Sequence, residues 1–92
     1  MRLADILYFE SDRRQITLYT KQGACTYYEK LDTIEKQLCT KDFVRCHQSF
    51  LVNAKEIRTV KADVLTLLNG DTLPVSKSRR ESVRKASLWA MR

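Results

Sequence analysis

Glycine and proline are scarce in this chain: two Gly and one Pro among 92 residues, which excludes a collagen-like repeat or a flexible low-complexity tract. Histidine occurs once, and the three cysteines Cys25, Cys39 and Cys46 are odd in number with no CxxC pair. Neither a disulfide framework nor a zinc site is spelled out, and reduced thiols are expected. No apolar run approaches the roughly 18 to 20 residues of a membrane span, and no signal peptide opens the chain. The expectation is a cytoplasmic protein with no membrane partner. Catalytic groupings are missing too: Cys46 and His47, adjacent in a strand, point to opposite faces, and no third residue orients the imidazole. The chain is read as a single domain, not an enzyme, with no cofactor and no metal.

Positive charge is plentiful. Seventeen Lys and Arg against eleven Asp and Glu give a net +6. Nearly all of that excess lies after residue 73, where Lys77, Arg79, Arg80, Arg84, Lys85 and Arg92 face Glu81 alone. Such an imbalance favours a densely anionic partner, and nucleic acid gains most because each neutralised phosphate releases condensed counterions. A solvated helix face is the plainer alternative.

The apolar pattern predicts strands first. Ala4 to Glu10 suits a strand buried on both faces, Ser11 to Arg14 a polar turn, and Gln15 to Thr20 an alternating second strand. Lys21 to Gly23 then turns into a third strand, Ala24 to Tyr28. Leu31, Ile34 and Leu38 fall at helical spacing, with Asp32 and Glu35 placed to cap the start and Cys39 to Asp42 ending it. Phe43 to Cys46 predicts a strand leading into a shaped loop, His47 to Asn53. Strands follow over Ile57 to Lys61, Val64 to Leu68 and Thr72 to Val75. Asn69-Gly70-Asp71 marks a tight hairpin turn with Asn and Gly both at positive φ. Pro74 marks an edge or an end. Ser78 and Glu81 have capping-box spacing before a last helix with Val83, Ala86, Trp89 and Ala90 on one stripe.

Two segments carry the chemistry. Phe43 to Asn53 sets the polar tips of Arg45, His47, Gln48, Ser49 and Asn53 between apolar anchors, so hydrogen-bond donors are held on a framework. Ser76 to Arg80 places three cations in five residues. Arg79 and Arg80 at a helix start oppose its dipole, at a cost of up to about 1 kcal/mol each, and Arg beside free N–H groups suits a phosphate oxygen.

Phe43-x-Arg45-x-His47-x-Ser49, then Val52-Asn53, Asn69-Gly70-Asp71 and Leu73-Pro74-Val75-Ser76-Lys77, together with Asp5 to Ser11, resemble the LytTR family of bacterial DNA-binding domains. The match runs in order along essentially the whole chain. The resemblance implies an elongated, mostly β fold of short strands in small sheets with one short central helix and a C-terminal helix. It implies loops in successive major grooves, and binding in pairs, as a homodimer on DNA, to direct repeats in promoters. Such domains usually stand behind a receiver domain in response regulators of two-component systems, which is a further implied partner. The family usually carries one more strand pair ahead of the Asp5 segment than residues 1–92 hold, so this domain is read as lacking that pair.

Sequence-specific binding of double-stranded DNA is the leading function, with a protein-interaction or antagonist module that pairs with another LytTR regulator as the alternative. The expected contacts are Arg13 and Arg14 in the first hairpin turn, Arg45, His47, Gln48 and Asn53 in the central segment, and Lys77, Ser78, Arg79 and Arg80 in the basic run. Among these, Arg45 either meets phosphate or braces the loop through a carboxylate, and Asn53 either meets DNA or serves the architecture. Gln48 suits adenine, and an arginine of the basic run suits guanine.

Overall fold

In the computed structural model, which describes residues 2–38 and 42–90, two antiparallel sheets and two helices enclose two separate cores. Strands β1 (Ile6–Asp12), β2 (Gln15–Thr20), β3 (Gly23–Tyr28), β4 (Phe43–His47) and β5 (Phe50–Asn53) form a five-stranded sheet in the order β3-β2-β1-β5-β4. Strands β6 (Ile57–Val60), β7 (Val64–Leu67) and β8 (Thr72–Pro74) form the second sheet. Helix α1 spans Leu31–Leu38 and helix α2 spans Arg80–Ala90. The mostly β class with a central and a C-terminal helix is as expected, but the extents of 30 × 26 × 24 Å make the molecule rounder than the elongated shape implied.

Strand β1 explains the double core. Ile6, Leu7, Tyr8 and Phe9 are all buried, although side chains of a strand alternate between faces. The register against β2 shifts between Ile6 and Tyr8, and this irregularity turns Ile6 and Phe9 to one side and Leu7 and Tyr8 to the other. Ile6 and Phe9 join Ile16, Leu18, Leu51 and the α1 residues Leu31 and Ile34. Leu7 and Tyr8 join Val52 of β5, Leu65, Leu67 and Leu73 of the second sheet, Val75 just after it, and Val83 of α2. The five-stranded sheet is therefore the partition, buried on both faces along β1 and β5.

Several local expectations are corrected. Leu3–Asp5 is a short 3-10 turn, so β1 starts at Ile6 and runs on through Asp12. The first turn shrinks to Arg13 and Arg14, with φ of 52° and 71°. Two positive φ values make it the primed hairpin turn that matches strand twist, held here without glycine at roughly 1 kcal/mol or more each. The segment His47 to Asn53 is not a loop: His47 ends β4, Gln48 and Ser49 make the turn, and Phe50–Asn53 is β5, with a register shift between Arg45 and His47. At Asn69–Asp71 only Gly70 has positive φ, 97°, while Asn69 Oδ1 accepts the Asp71 N–H at 2.9 Å. No capping box forms at α2: Ser78 lies inside a 3-10 turn, Lys77–Arg79, and Glu81 instead accepts from Arg84 Nε at 3.2 Å. On the α2 stripe Val83 is fully buried and Ala86 and Ala90 pack on the core, but Trp89 is 46% exposed. Pro74 ends edge strand β8, as expected. The expected helix end at Cys39 to Lys41, and the thiol of Cys39, lie outside the described residues. Among the described residues no helix is long and apolar enough to cross a membrane.

Candidate nucleic-acid interface

Backbone hydrogen bonds bring three distant segments to one place. The Ser11 N–H donates to Ser49 O at 2.8 Å, tying the first hairpin to the β4–β5 turn. The Ser76 N–H donates to Cys46 O at 2.8 Å, docking the basic 3-10 turn beside β4. Between them opens a shallow cleft of about 370 Å³, lined by Ser11, Arg14, Lys30, Leu31, Asp32, Arg45, Gln48 and Arg79. Arg14, Gln48 and Arg79, sequence candidates from three separate segments, thus share one surface. Arg13, Lys77 and Ser78 are exposed on the turns that carry Arg14 and Arg79, and Arg80 is exposed at the start of α2.

Arg45 forms the floor. Its side chain is 9% exposed. Nη1 donates to Asp32 Oδ1 at 2.7 Å and to Glu35 Oε1 at 2.8 Å, Nε donates to His47 O at 3.0 Å, and Nη2 donates to Gln48 O at 2.5 Å. In this geometry the guanidinium is a planar fork that clamps the carbonyls of His47 and Gln48 and ties them to α1. Asp32 and Glu35, expected to cap the helix, serve as the clamp's acceptors. The hydrogen bond from Arg45, and then its charge, hold the Asp32 carboxyl below its usual range, with Arg79 adding to the effect.

His47 is half-buried and Gln48 exposed. His47 Nδ1 accepts the Ser49 N–H at 3.1 Å, so a neutral ring presents Nε2–H as its free donor. Its ring meets Phe50 edge-on at 5.9 Å. Gln48 stands exposed at the tip, lining the cleft, with its backbone clamped by Arg45. Asn53 is elsewhere: it is 2% exposed, Nδ2 donates to Ile6 O at 2.9 Å, and Oδ1 accepts the Lys55 N–H at 3.0 Å. Both ends of its amide are used within the fold.

Lys30 and Ser11 were not singled out in the sequence. Lys30 precedes α1 and looks like an ordinary solvated cation; only the packing of α1 against β1, β4 and β5 sets it in the cleft. Among the described residues no group of three or more His, Cys, Asp or Glu is placed to hold a metal ion.

The family model of the LytTr DNA-binding domain matches residues 1–87. The chain is 29% identical over 86 residues to the sensory transduction protein LytT of Bacillus subtilis (strain 168), a match covering 88% of this chain and 36% of that protein. It therefore spans about a third of the length of that relative. A solved LytTr DNA-binding domain from Bacillus cereus is 27% identical with a TM-score of 0.84, the match covering 94% of this chain and 84% of that one.

Proposed function

The chain belongs to the LytTr DNA-binding domain family, a DNA-binding domain of transcription regulation, and we propose that it reads promoter duplexes through the cleft between its two hairpin turns and its basic turn. The observation that carries this reading is the convergence of Arg14, Gln48 and Arg79 on one surface.

The parts divide by chemistry. Arg13, Arg14, Lys30, Lys77, Arg79 and Arg80 are exposed or half-exposed cations and supply the phosphate contacts that set affinity and position. Gln48 and His47, on a stiffened hairpin tip, project into the major groove, with Gln48 suited to adenine N6 and N7 and His47 Nε2–H to a base or phosphate acceptor. Ser78 offers a hydroxyl beside the phosphates. Arg45 and Asn53 are positioning residues. The hairpin tip and the basic turn share one cleft and so engage one groove and its flanking phosphates, and two copies occupy the two halves of a direct repeat.

Titration of the chain against its own promoter duplex and a random duplex, each at two salt concentrations, tests the reading. Preference for the promoter and a steep loss of affinity with salt are expected. Equal affinity for both duplexes overturns sequence-specific binding and leaves an interaction module that pairs with another LytTR regulator.

A further inference from the structure

Among the described residues four strand edges border the two sheets, and three are guarded. β4 carries Arg45 and His47 and is packed by α2 and the basic 3-10 turn; β6 carries Arg58 and touches α2; β8 is three residues long and ends in Pro74. Charge, cover, brevity and proline are the devices by which edges avoid pairing. β3 has none of them. Its six residues, Gly-Ala-Cys-Thr-Tyr-Tyr, are uncharged and all exposed, Tyr28 at 80%.

The ladder fixes which groups of β3 face outward. The Glu29 N–H donates to Arg14 O at 3.1 Å, and Arg14 and Glu29 continue the register in which Gln15 opposes Tyr28 and Leu18 opposes Cys25. Because hydrogen-bonded and non-hydrogen-bonded pairs alternate, the N–H and C=O of Gly23, Cys25 and Tyr27 face β2. Those of Ala24, Thr26 and Tyr28 face outward. An antiparallel copy must pair outward residues with outward residues, which allows only registers whose two-fold axis passes through a residue.

Among these, one register sets the flanking charges opposite each other. With the axis at Cys25, Lys21 opposes Glu29 of the second copy, and the reverse, while Ala24 opposes Thr26. The same register lays Tyr27 across Gly23, the aromatic cover that edge glycines favour. Lys21 already reaches Glu56 at 3.7 Å but keeps half its side chain exposed, leaving room for a second carboxylate.

We propose that β3 is a self-complementary edge through which a second copy of this chain pairs antiparallel about Cys25, joining two five-stranded sheets into one. The contact is isologous, the same patch on both copies. Copies on a direct repeat are related by translation along the duplex, so this pairing is an association made without DNA or between two duplexes. It sends the two Arg13–Arg14 turns to opposite ends of the joined strands, roughly 27 Å apart along the strand direction for eight residues of rise.

Sedimentation velocity on the DNA-free chain, over roughly a hundredfold range of concentration at low salt, tests this directly. A reversible dimer is expected, and a monomer throughout overturns the proposal. Thr26→Pro removes an outward N–H and no bond to β2, so about tenfold weaker dimerisation is expected with unchanged circular dichroism. Thr26→Lys, which places a guard on the edge and keeps the backbone donor, is expected to act in the same direction. A dimer that neither variant weakens lies elsewhere and contradicts the assignment. Lys21→Glu and Glu29→Lys are each expected to weaken pairing and together to restore it; failure of the double variant to recover overturns the register.

Discussion

Arg45 Nη1 lies 2.7 Å from Asp32 Oδ1, and with Glu35 Oε1 at 2.8 Å from the same nitrogen it ties the β4–β5 hairpin to α1. Around that pair the guanidinium clamps the carbonyls of His47 and Gln48, which stiffens the turn offered to DNA. Replacing Arg45 by Ala is expected to lower stability by about 2 kcal/mol, since the partner carboxylates stay hydrated but the clamp is lost. Replacement by Lys is expected to recover little, because an ammonium cannot bridge acceptors in a planar fork. Urea unfolding of both variants measures this, and a lysine variant as stable as the parent contradicts the clamp.

Acid should loosen the same joint. The Asp32 carboxyl titrates below its ordinary 3.8 because Arg45 hydrogen-bonds its charged form. A group depressed in the folded state contributes stability that is present above its unfolded value and lost as pH falls through the folded one. The urea midpoint is therefore expected to fall as pH drops from about 5 toward 2, with a shallower fall in Asp32→Asn. Equal slopes in the two proteins contradict the coupling.

Asn53 joins β5 to the Ile6 carbonyl and to the Lys55 N–H, forty-seven and two residues away, from a fully enclosed position. Asn53→Ala strands two backbone groups and is expected to cost about 1 to 3 kcal/mol. Calorimetric melting checks it, and a variant with unchanged melting temperature contradicts the architectural role.

Cys46 and Cys25 should differ in reactivity. Cys46 is fully buried, and burial pushes its thiol up to about 12, while Cys25 is exposed on β3. Alkylation at neutral pH, followed by peptide mass spectrometry, is expected to label Cys25 rapidly and Cys46 only after denaturation, because the thiolate is the nucleophile. Rapid native labelling of Cys46 contradicts the packing.

Strand order along the chain, α1 and the Asn69–Asp71 turn were legible in the sequence because each rests on local spacing and turn chemistry. Burial of β1 on both faces was legible too, but which side chains enter which core was not, since that comes from a register shift seen only once β2 is paired. The candidates followed the same rule. Turn residues such as Arg14, Gln48 and Arg79 can be named as candidates from type and place alone. The bracing role of Arg45 needed Asp32, thirteen residues away, to be packed beside it. Lys30 had no signal of its own, as its position depends on how α1 is seated.

The division of labour in the cleft is tested most directly by the slope of log affinity against log salt for the parent chain, Arg79→Ala and Gln48→Ala, each on promoter and random duplex. Arg79→Ala should reduce the slope by about 1 on both duplexes, as for one lost phosphate contact. Gln48→Ala should leave the slope unchanged and erase about 1 to 3 kcal/mol of preference for the promoter. Binding that ignores both substitutions would contradict the cleft as the DNA-reading surface.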